Sequence, residues 1–285
     1  MMAEVSKMRV LVTGAGGYIG RHVVKRLLDL GCEVIAADFV RKGIDERAVY
    51  TEVPIFGATE NIYERLGRPD VLIHLAWRDG FVHNSNAHMA DLSSHVRFLQ
   101  AMIDQGLPSV SVMGSMHEVG YWEGAIEADT PCNPQSMYGI SKNALRAWLM
   151  LYTAKLPVAV HWLRAYYIFG DDAHGSSIFA KLTQAHYAGK TEFPFTTGKN
   201  LYDFISVQEL AQQIVAASVQ NKYCGIINVC TGQPKSLAEQ VNWYIQEHHF
   251  NIRLQYGAFP DRPYDSPGVW GDASVIKKIM EEAEK

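Results

Sequence analysis

Short apolar, β-branched runs alternate with stretches of helical spacing along the first 165 residues. The runs that indicate buried strands are RVLVT, EVIAAD, DVLIHLA, SVSVMGS and VAVHWLRA, with a further short run between residues 50 and 56. Helical spacing covers residues 18–30, 85–105 and 133–155. Strands without a polar face, separated by helices, are typical of a parallel sheet covered on both sides. The pattern predicts an α/β fold with a doubly wound parallel sheet.

The alternation loosens after Gly170 and returns in FISVQELAQQIVAAS and GIINVCTG. We therefore expect a Rossmann dinucleotide-binding domain over residues 1–170, rejoined by residues 201–233. Residues 171–200 and 234–285 are expected to form a second, smaller α/β lobe that binds substrate. Because open parallel sheets bind ligands beyond the carboxyl ends of their strands, the substrate is expected between the two parts.

Composition and charge limit the partners. A formal net charge of −4 provides no basic field for nucleic acid. No apolar run reaches the roughly 18 residues of a membrane span, and the N-terminus lacks the features of a signal peptide, so we expect no membrane partner and a cytoplasmic location. The four cysteines lack C-x-x-C spacing, which suits reduced thiols, and the 11 histidines include no H-E-x-x-H. We expect no metal site.

A glycine-rich turn follows the first predicted strand. VTGAGGYIG places Gly14, Gly17 and Gly20 at G-x-x-G-x-x-G spacing where the first helix begins. Glycines there permit a tight turn and close approach of the backbone to a pyrophosphate, which binds at the positive end of the helix. The alternative is a glycine-rich connection without a ligand.

Asp38 ends the second predicted strand, 18 residues after Gly20. A carboxylate at this place accepts hydrogen bonds from the adenine ribose and repels the additional phosphate of NADP. Arg41 and Lys42 follow closely, and either of them could reach that phosphate. The sequence favours NAD and leaves NADP open, and the alternative is that Asp38 only caps the strand end.

A tyrosine and a lysine lie four residues apart on one predicted helix. In NPQSMYGISKNALRAW, Tyr138 and Lys142 project from the same side. A nearby ammonium favours the phenolate, so Lys142 is expected to lower the pKa of Tyr138 and to make an acid/base pair with it. Ser115 ends a predicted strand, where its hydroxyl would face the ligand crevice together with Tyr138. The alternatives are a chance pairing of Tyr138 with Lys142, and a Ser115 that only satisfies a turn.

Taken together, TGAGGYIG, DVLIHLAW, Ser115 and YGISK resemble the extended short-chain dehydrogenase/reductases, the NAD-dependent epimerase/dehydratase family. The resemblance continues through LRAYYIFGDD, NLYDFISVQELA, NVCTGQPKSLAE and DRPYDSPGVWGD. Ala165 stands where the family usually has a proline, and Tyr202 stands where it usually has an arginine.

The resemblance implies roles for individual residues. Tyr138 would be the general acid/base, Lys142 would hold the nicotinamide ribose, and Ser115 would orient the reacting oxygen. Arg262 would contact the diphosphate of a nucleotide-sugar substrate, and the helices at 85–105 and around Tyr138 would form a homodimer. The remaining cofactor contacts would be Gly14, Gly17, Tyr18, Ile19, Gly20, Asp38, Leu75 and Ala76. The sugar would contact Phe81, His83, Asn84, His117 and Tyr166, although packing or surface roles fit these five equally.

Three functions stay open, and one family reaction is disfavoured. Dehydratases follow the catalytic hydroxyl with an Asp-Glu pair, whereas Met116 and His117 follow Ser115 here. A shifted alignment that used Glu118 would put Met116 in place of the hydroxyl. The sequence looks most like bacterial reductases of 4-keto-6-deoxy sugar nucleotides, such as those that reduce dTDP-4-dehydro-6-deoxyglucose. The alternatives are a nucleotide-sugar 4-epimerase with tightly bound NAD and a non-catalytic, NAD(P)-binding redox sensor.

Overall fold

The computed structural model describes residues 7–170, 177–260 and 265–284. The main sheet consists of parallel strands. These strands are apolar on both sides because both faces of the sheet are covered. In chain order the strands are β1 (Arg9–Thr13), β2 (Glu33–Ala37), β3 (Val49–Thr51), β4 (Val71–His74), β5 (Ser109–Ser115), β6 (Gly124–Ile126), β7 (Ala159–Ala165), β8 (Tyr167–Phe169), β9 (Glu192–Pro194), β10 (Leu201–Tyr202), β11 (Phe204–Ser206), β12 (Gly225–Val229), β13 (Lys235–Ser236), β14 (Arg253–Gln255) and β15 (Gly268–Gly271).

Seven of these strands form one sheet in the order β12-β7-β5-β4-β1-β2-β3. Every neighbouring pair in it is parallel. The chain winds outward in one direction from β1 to β3 and in the other from β4 to β12. The switch point between β1 and β4 is where such sheets bind ligands, and this arrangement confirms the predicted doubly wound Rossmann fold.

Helices cover the main sheet on both faces. The helices are α1 (Gly20–Asp29), α2 (Ile62–Arg65), α3 (Ala87–Asp104), α4 (Met137–Thr153), α5 (Ile178–Tyr187), α6 (Val207–Ser218), α7 (Leu237–Glu247) and α8 (Ser274–Ala283). Residues of α1, α6 and α8 pack in one apolar cluster with one face of the sheet, and residues of α2, α3 and α4 pack in a second cluster with the other face.

Helix α4 begins at Met137, four residues after the start of the predicted helical stretch 133–155. Ser136 has an extended backbone, with φ −145° and ψ 157°, and its side chain accepts the N–H of Gly139 at 3.1 Å. A serine cap of this kind satisfies a backbone donor that has no partner within the helix. The cap therefore sets the start of the helix at Met137 and places Tyr138 in its first turn.

A second, smaller lobe has a sheet in the order β13-β10-β15-β6 and an apolar core of its own. The observed lobe crosses the boundaries predicted for it. β6 comes from within residues 1–170, β10 comes from within residues 201–233, and Ile276 and Ile279 of α8 pack into the main core. The residues of this lobe's core include Phe179, Leu182, Phe195, Val241, Tyr244 and Leu254.

The buried carboxylate of Asp203 joins the two parts. It accepts hydrogen bonds from the Thr231 N–H at 2.9 Å, the Thr231 hydroxyl at 2.6 Å and the Gly232 N–H at 2.8 Å, just after β12. It also accepts the N–H of Gly271, at the end of β15, at 3.3 Å. A fully buried carboxylate needs this number of donors to offset its lost hydration. One side chain thus fixes the main sheet to the smaller one.

None of the helices in the described part of the chain is long and apolar enough to cross a membrane. All four cysteines are free thiols. Among the described residues, no group of three or more His, Cys, Asp or Glu side chains could hold a metal ion.

Candidate active site

The turn between β1 and α1 packs directly against the end of β4. Gly14 has a positive φ of 69°, and a Cβ on it would lie 2.7 Å from the backbone nitrogen of Ala76. A Cβ on Gly20 would lie 2.0 Å from the carbonyl oxygen of Gly14. Only glycine fits at both positions. The turn therefore lies at the switch point of the sheet.

The remaining predicted cofactor residues of this region lie around the same turn. Gly17 donates its N–H to the Gly14 carbonyl at 3.1 Å, and Leu75 donates to the Thr13 carbonyl at 3.1 Å. Ile19 is the N-cap of α1. The Tyr18 hydroxyl donates to the Gly170 carbonyl at 2.5 Å and so connects the turn to the end of β8.

Asp38 follows β2, and its carboxylate lies beside the glycine turn. It accepts the N–H of Gly16 at 2.8 Å and the N–H of Phe39 at 2.7 Å. Arg41 and Lys42 are exposed beyond it. The placement suits a carboxylate that receives ribose hydroxyls, and the two basic residues lie in the same loop.

These groups fit a dinucleotide. The first turn of α1 holds no acidic residue, and no side chain caps its N-terminus. The positive N-terminal end of α1 therefore lies at the glycine turn with no carboxylate in its first turn to repel an anionic pyrophosphate. The turn would hold the pyrophosphate, Asp38 the adenine ribose, and Lys142 the nicotinamide ribose.

Ser115, Tyr138 and Lys142 converge at the carboxyl edge of the main sheet. Ser115 is the last residue of β5, and Tyr138 and Lys142 lie in α4. A hydrogen bond with Ser115 lowers the pKa of Tyr138, but burial outweighs it and raises that pKa to about 12. Burial also lowers the pKa of Lys142 to about 7. The reason is the same in both cases, since a desolvated group disfavours its charged form.

The relation between Tyr138 and Lys142 differs from the expected one. The Lys142 Nζ lies 5.8 Å from the centre of the Tyr138 ring, and it donates to the Met113 carbonyl at 2.7 Å. The pKa of Tyr138 is raised rather than lowered. Burial of the phenol therefore outweighs any effect of the ammonium, and Tyr138 is a protonated hydroxyl at neutral pH.

The loop after β4 holds the start of α4. The Tyr138 N–H donates to the His83 carbonyl at 2.9 Å, and the Met137 N–H donates to the Asn84 Oδ1 at 3.3 Å. Both donors belong to the first turn of the helix, where they have no partner within the helix. His83 and Asn84 thus position Tyr138 through its backbone.

Two histidines line the approach to Tyr138. The His83 ring stacks on the Tyr138 ring, with centroids 5.5 Å apart and planes at 11°. The His117 ring lies 4.3 Å from His83 and 6.0 Å from Tyr138. Burial lowers the pKa of His117 to about 4 and also lowers that of His83, so both rings are neutral near pH 7.

Three predicted substrate contacts remain, namely Phe81 and Tyr166 for the sugar and Arg262 for the diphosphate. Phe81 is 68% exposed, and its ring is 6.5 Å from that of Tyr18. Tyr166 is 7% exposed and donates its hydroxyl to the Asn228 Oδ1 at 3.1 Å. This hydroxyl is engaged in the core, so the structure does not place Tyr166 as a sugar contact. Arg262 lies outside the described residues.

Glu118 forms a capping box with Ser115, which the S-x-x-E spacing of the two residues could have indicated. It is fully buried, and its carboxylate accepts the Ser115 N–H at 2.6 Å and the Trp162 indole N–H at 2.9 Å. Two guanidinium groups lie close to it, Arg146 at 3.6 Å and the fully buried Arg164 at 3.7 Å. Burial raises the pKa of Glu118, and Arg164 opposes that shift. The carboxylate therefore supports Ser115 from behind and does not face the substrate side.

A cavity of about 790 Å³ lies elsewhere, between α6, α7 and α8. Gln213, Trp243 and Lys277 are among its lining residues. It contains none of Ser115, Tyr138 and Lys142, so it is not the site of their chemistry.

Comparison with known proteins agrees with this geometry. The NAD dependent epimerase/dehydratase family model matches residues 10–230. A dTDP-6-deoxy-L-talose 4-dehydrogenase (NAD(+)) of Aggregatibacter actinomycetemcomitans is 41% identical over 271 residues, which cover 93% of this chain and 99% of the relative. A UDP-glucose 4-epimerase of Mycolicibacterium smegmatis is 27% identical, covering 93% and 88%. The solved Thermus thermophilus UDP-glucose 4-epimerase in complex with NAD has a TM-score of 0.80 at 23% identity, covering 98% and 94%.

The fold and the site define a dinucleotide-dependent oxidoreductase of the short-chain dehydrogenase/reductase class. The chain belongs to the NAD-dependent epimerase/dehydratase family. The predicted family and the predicted nicotinamide dinucleotide are thereby confirmed, and the redox-sensor alternative loses its basis because the relatives are enzymes.

We predict that Glu118→Ala lowers the free energy of unfolding by about 3–5 kcal/mol, because it leaves the Arg164 guanidinium buried without a counter-charge. The Ser115 N–H loses its acceptor in the same variant, so kcat should fall as well. Urea unfolding and steady-state kinetics measure the two effects. The matched control is Glu123→Ala, which removes an exposed carboxylate bonded to Tyr121 and should change stability by no more than about 0.5 kcal/mol. Equal stabilities of the two variants would contradict the role given to Glu118.

Proposed function

We propose that the protein interconverts a ketone and an alcohol at C4 of a dTDP-linked 6-deoxy sugar, using NAD(H). Reduction of a 4-keto-6-deoxy sugar nucleotide is the direction we favour. The observation that carries the proposal is the convergence of Ser115, Tyr138 and Lys142 beside the glycine turn. The 41% identical relative, a 4-dehydrogenase of a dTDP-6-deoxy sugar, supports the substrate class.

The residues divide the chemistry between them. When bound, the dinucleotide would supply or accept the hydride at the sugar C4. The Ser115 hydroxyl would donate a hydrogen bond to the C4 oxygen and hold it beside Tyr138. Tyr138, a phenol with its pKa raised to about 12, gives its proton to that oxygen during reduction and takes it back during oxidation. The same residues serve both directions, so the supply of reduced or oxidised dinucleotide determines which one prevails.

Dehydration is not favoured by the arrangement. A dehydratase needs an acid and a base that face the sugar, whereas Glu118 is fully buried behind Ser115. Met116, which the shifted alignment would put in place of the hydroxyl, is 6% exposed and cannot donate a hydrogen bond.

A 4-epimerase is the second candidate. It is favoured by the 27% identical UDP-glucose 4-epimerase. An epimerase carries out the same hydride transfer forward and back, so Ser115, Tyr138 and Lys142 would serve it equally. Net consumption of the dinucleotide separates the two candidates.

The decisive assay offers the purified protein two substrate pairs. One is dTDP-6-deoxy-L-talose with NAD⁺, and the other is dTDP-4-dehydro-6-deoxyglucose with NADH. A stoichiometric change in reduced-nicotinamide absorbance, together with NMR identification of the product at C4, would support the proposal. Inversion of a sugar at C4 without net absorbance change, by protein that carries bound NAD, would favour the epimerase.

We predict that Tyr138→Phe lowers kcat by about 10²–10⁴-fold, because it removes the proton that C4 chemistry needs. Binding of NAD, measured by calorimetry, should remain. Tyr152→Phe is the matched control, since Tyr152 lies in the same helix and its hydroxyl donates to Asp104 at the surface. Near-normal turnover of Tyr138→Phe would remove Tyr138 from the mechanism.

We propose that the protein is a homodimer and acts in the cytoplasm. Ile140 (44% exposed) and Leu151 (80% exposed) lie eleven residues apart on α4, which puts them on one side of the helix. Met89 of the adjoining α3 is 49% exposed and accepts a hydrogen bond from Ser141 at 3.1 Å. An apolar stripe of this kind across two helices suits a self-complementary contact. The four free cysteines suit a reducing compartment.

We expect Leu151→Glu to convert a dimer to a monomer in sedimentation or light-scattering measurements, because it places a charge within the apolar stripe. The control is Tyr187→Glu on α5, in the smaller lobe. Tyr187 is 81% exposed and Leu151 is 80% exposed, and the control should leave the molecular mass of the dimer unchanged. An unchanged dimer in Leu151→Glu would exclude this interface.

A further inference from the structure

The indole of Trp77 lies against the ammonium of Lys142. The Nζ is 3.7 Å from the centre of the ring. Within about 6 Å, the negative face of an indole attracts a cation, and more strongly where water is excluded. Lys142 is 3% exposed. The contact is therefore of the desolvated kind.

Trp77 is fixed by its hydrogen bond and by stacking. Its indole N–H donates to the His88 Nδ1 at 3.0 Å, so the His88 proton is on Nε2, which lies 3.0 Å from the Val82 carbonyl and donates to it. The rings of Trp77 and His95 stack, with centroids 4.5 Å apart and planes at 21°. These contacts define the plane that Trp77 presents to Lys142.

His95 in turn is tied to the glycine turn through buried hydrogen bonds. The Thr13 hydroxyl accepts the Ala76 N–H at 3.4 Å and is hydrogen-bonded to the His74 Nδ1 at 2.8 Å. The His74 Nε2 and the His95 Nδ1 are hydrogen-bonded to each other at 2.9 Å. Burial lowers the pKa of His74, and it lowers that of His95 to about 3. Both rings are neutral, so neither competes with Lys142 as a cation at Trp77.

In the described part of the chain, the Lys142 ammonium has no carboxylate partner at close range. Among the described residues, none of the ion pairs within 4.0 Å involves Lys142, and its hydrogen bond is to the Met113 carbonyl. A neutral carbonyl and an indole face are thus the groups that directly oppose its desolvation. The titratable groups that act on Lys142, or lie around it, are Glu118, Tyr138, His74 and His95.

We propose that Trp77 is a positioning residue for Lys142, and that its ring face keeps the buried ammonium charged and directed into the site. The electrostatic part is independent of the reaction, while the kinetic part rests on the proposed function. If Lys142 were deprotonated, its side chain would bring no positive charge to the site.

The test is the titration of Lys142, followed by NMR through its ε-CH₂ signal in ¹³C-lysine protein. Lys142→Met identifies the signal. In the wild type, the signal should carry the upfield ring-current shift of a group above an indole. In Trp77→Leu the shift should disappear, and the titration midpoint should fall by about one pH unit, which is tenfold in the protonation constant. Trp77→Phe keeps a weaker ring and should give an intermediate midpoint.

The matched control is Trp243→Leu, which removes a half-exposed indole from α7 and should leave the Lys142 signal and its midpoint unchanged. A Trp77→Leu midpoint equal to that of the wild type overturns the proposal. Should Trp77→Leu fail to fold, the comparison of wild type with Trp77→Phe decides, and equal midpoints there also overturn it.

Kinetics provide a second readout. The pH at which kcat is half-maximal should shift in the same direction and by a similar amount as the NMR midpoint, with little change in KM for the sugar nucleotide. The NMR titration needs no substrate, so it tests Trp77 even if neither substrate pair is turned over. Absence of turnover by the wild type would count against the proposed function alone.

Discussion

No side chain fits between the turn after β1 and the end of β4, and the active site depends on that close contact. Gly14 meets the backbone of Ala76, and Gly20 meets the carbonyl of Gly14. The contact exposes the N-terminus of α1 at the switch point. It also sets where the loop after β4 leaves the sheet, and therefore where Trp77, His83 and Asn84 reach α4. A bulkier turn would move the glycine turn away from the end of β4 and from the loop that reaches α4.

Burial gives the catalytic groups their properties. The same loss of hydration raises the pKa of Tyr138 and lowers that of Lys142, because one is charged when deprotonated and the other when protonated. Glu118 lies deeper still and keeps two guanidinium groups nearby. The protein thus separates a carboxylate that supports the backbone of Ser115 from the phenol of Tyr138, which is hydrogen-bonded to the Ser115 side chain.

The sequence predicted those parts of the structure that depend on local pattern. Apolar runs indicated the strands, and the spacing of Gly14, Gly17 and Gly20 indicated the turn. Ser136 could have indicated the start of α4, since it is a preferred capping residue, whereas the predicted helical stretch begins at residue 133. The separation of four residues predicted that Tyr138 and Lys142 lie close together, because a helix converts that spacing into proximity, and the Lys142 Nζ lies 5.8 Å from the centre of the Tyr138 ring.

The parts that were missed depend on contacts between distant segments. Trp77 meets Lys142 across 65 residues, and Glu118 meets Trp162 across 44 residues. No spacing rule connects such pairs. The family resemblance implied that Tyr166 contacts the sugar, but its hydroxyl is bonded to Asn228 on a neighbouring strand. Likewise, β6 and α8 cross the predicted lobe boundaries because their pairing and packing partners are far away in sequence.

The carboxylate of Asp203 has a consequence for how the molecule comes apart. It holds the turn after β12 and the end of β15 at once, while α8, directly after β15, packs in the main core. The smaller lobe therefore cannot detach without exposing apolar surface of the larger one. The two parts should melt together as one cooperative unit, and motion that admits substrate should come from local loops rather than from a hinge between lobes.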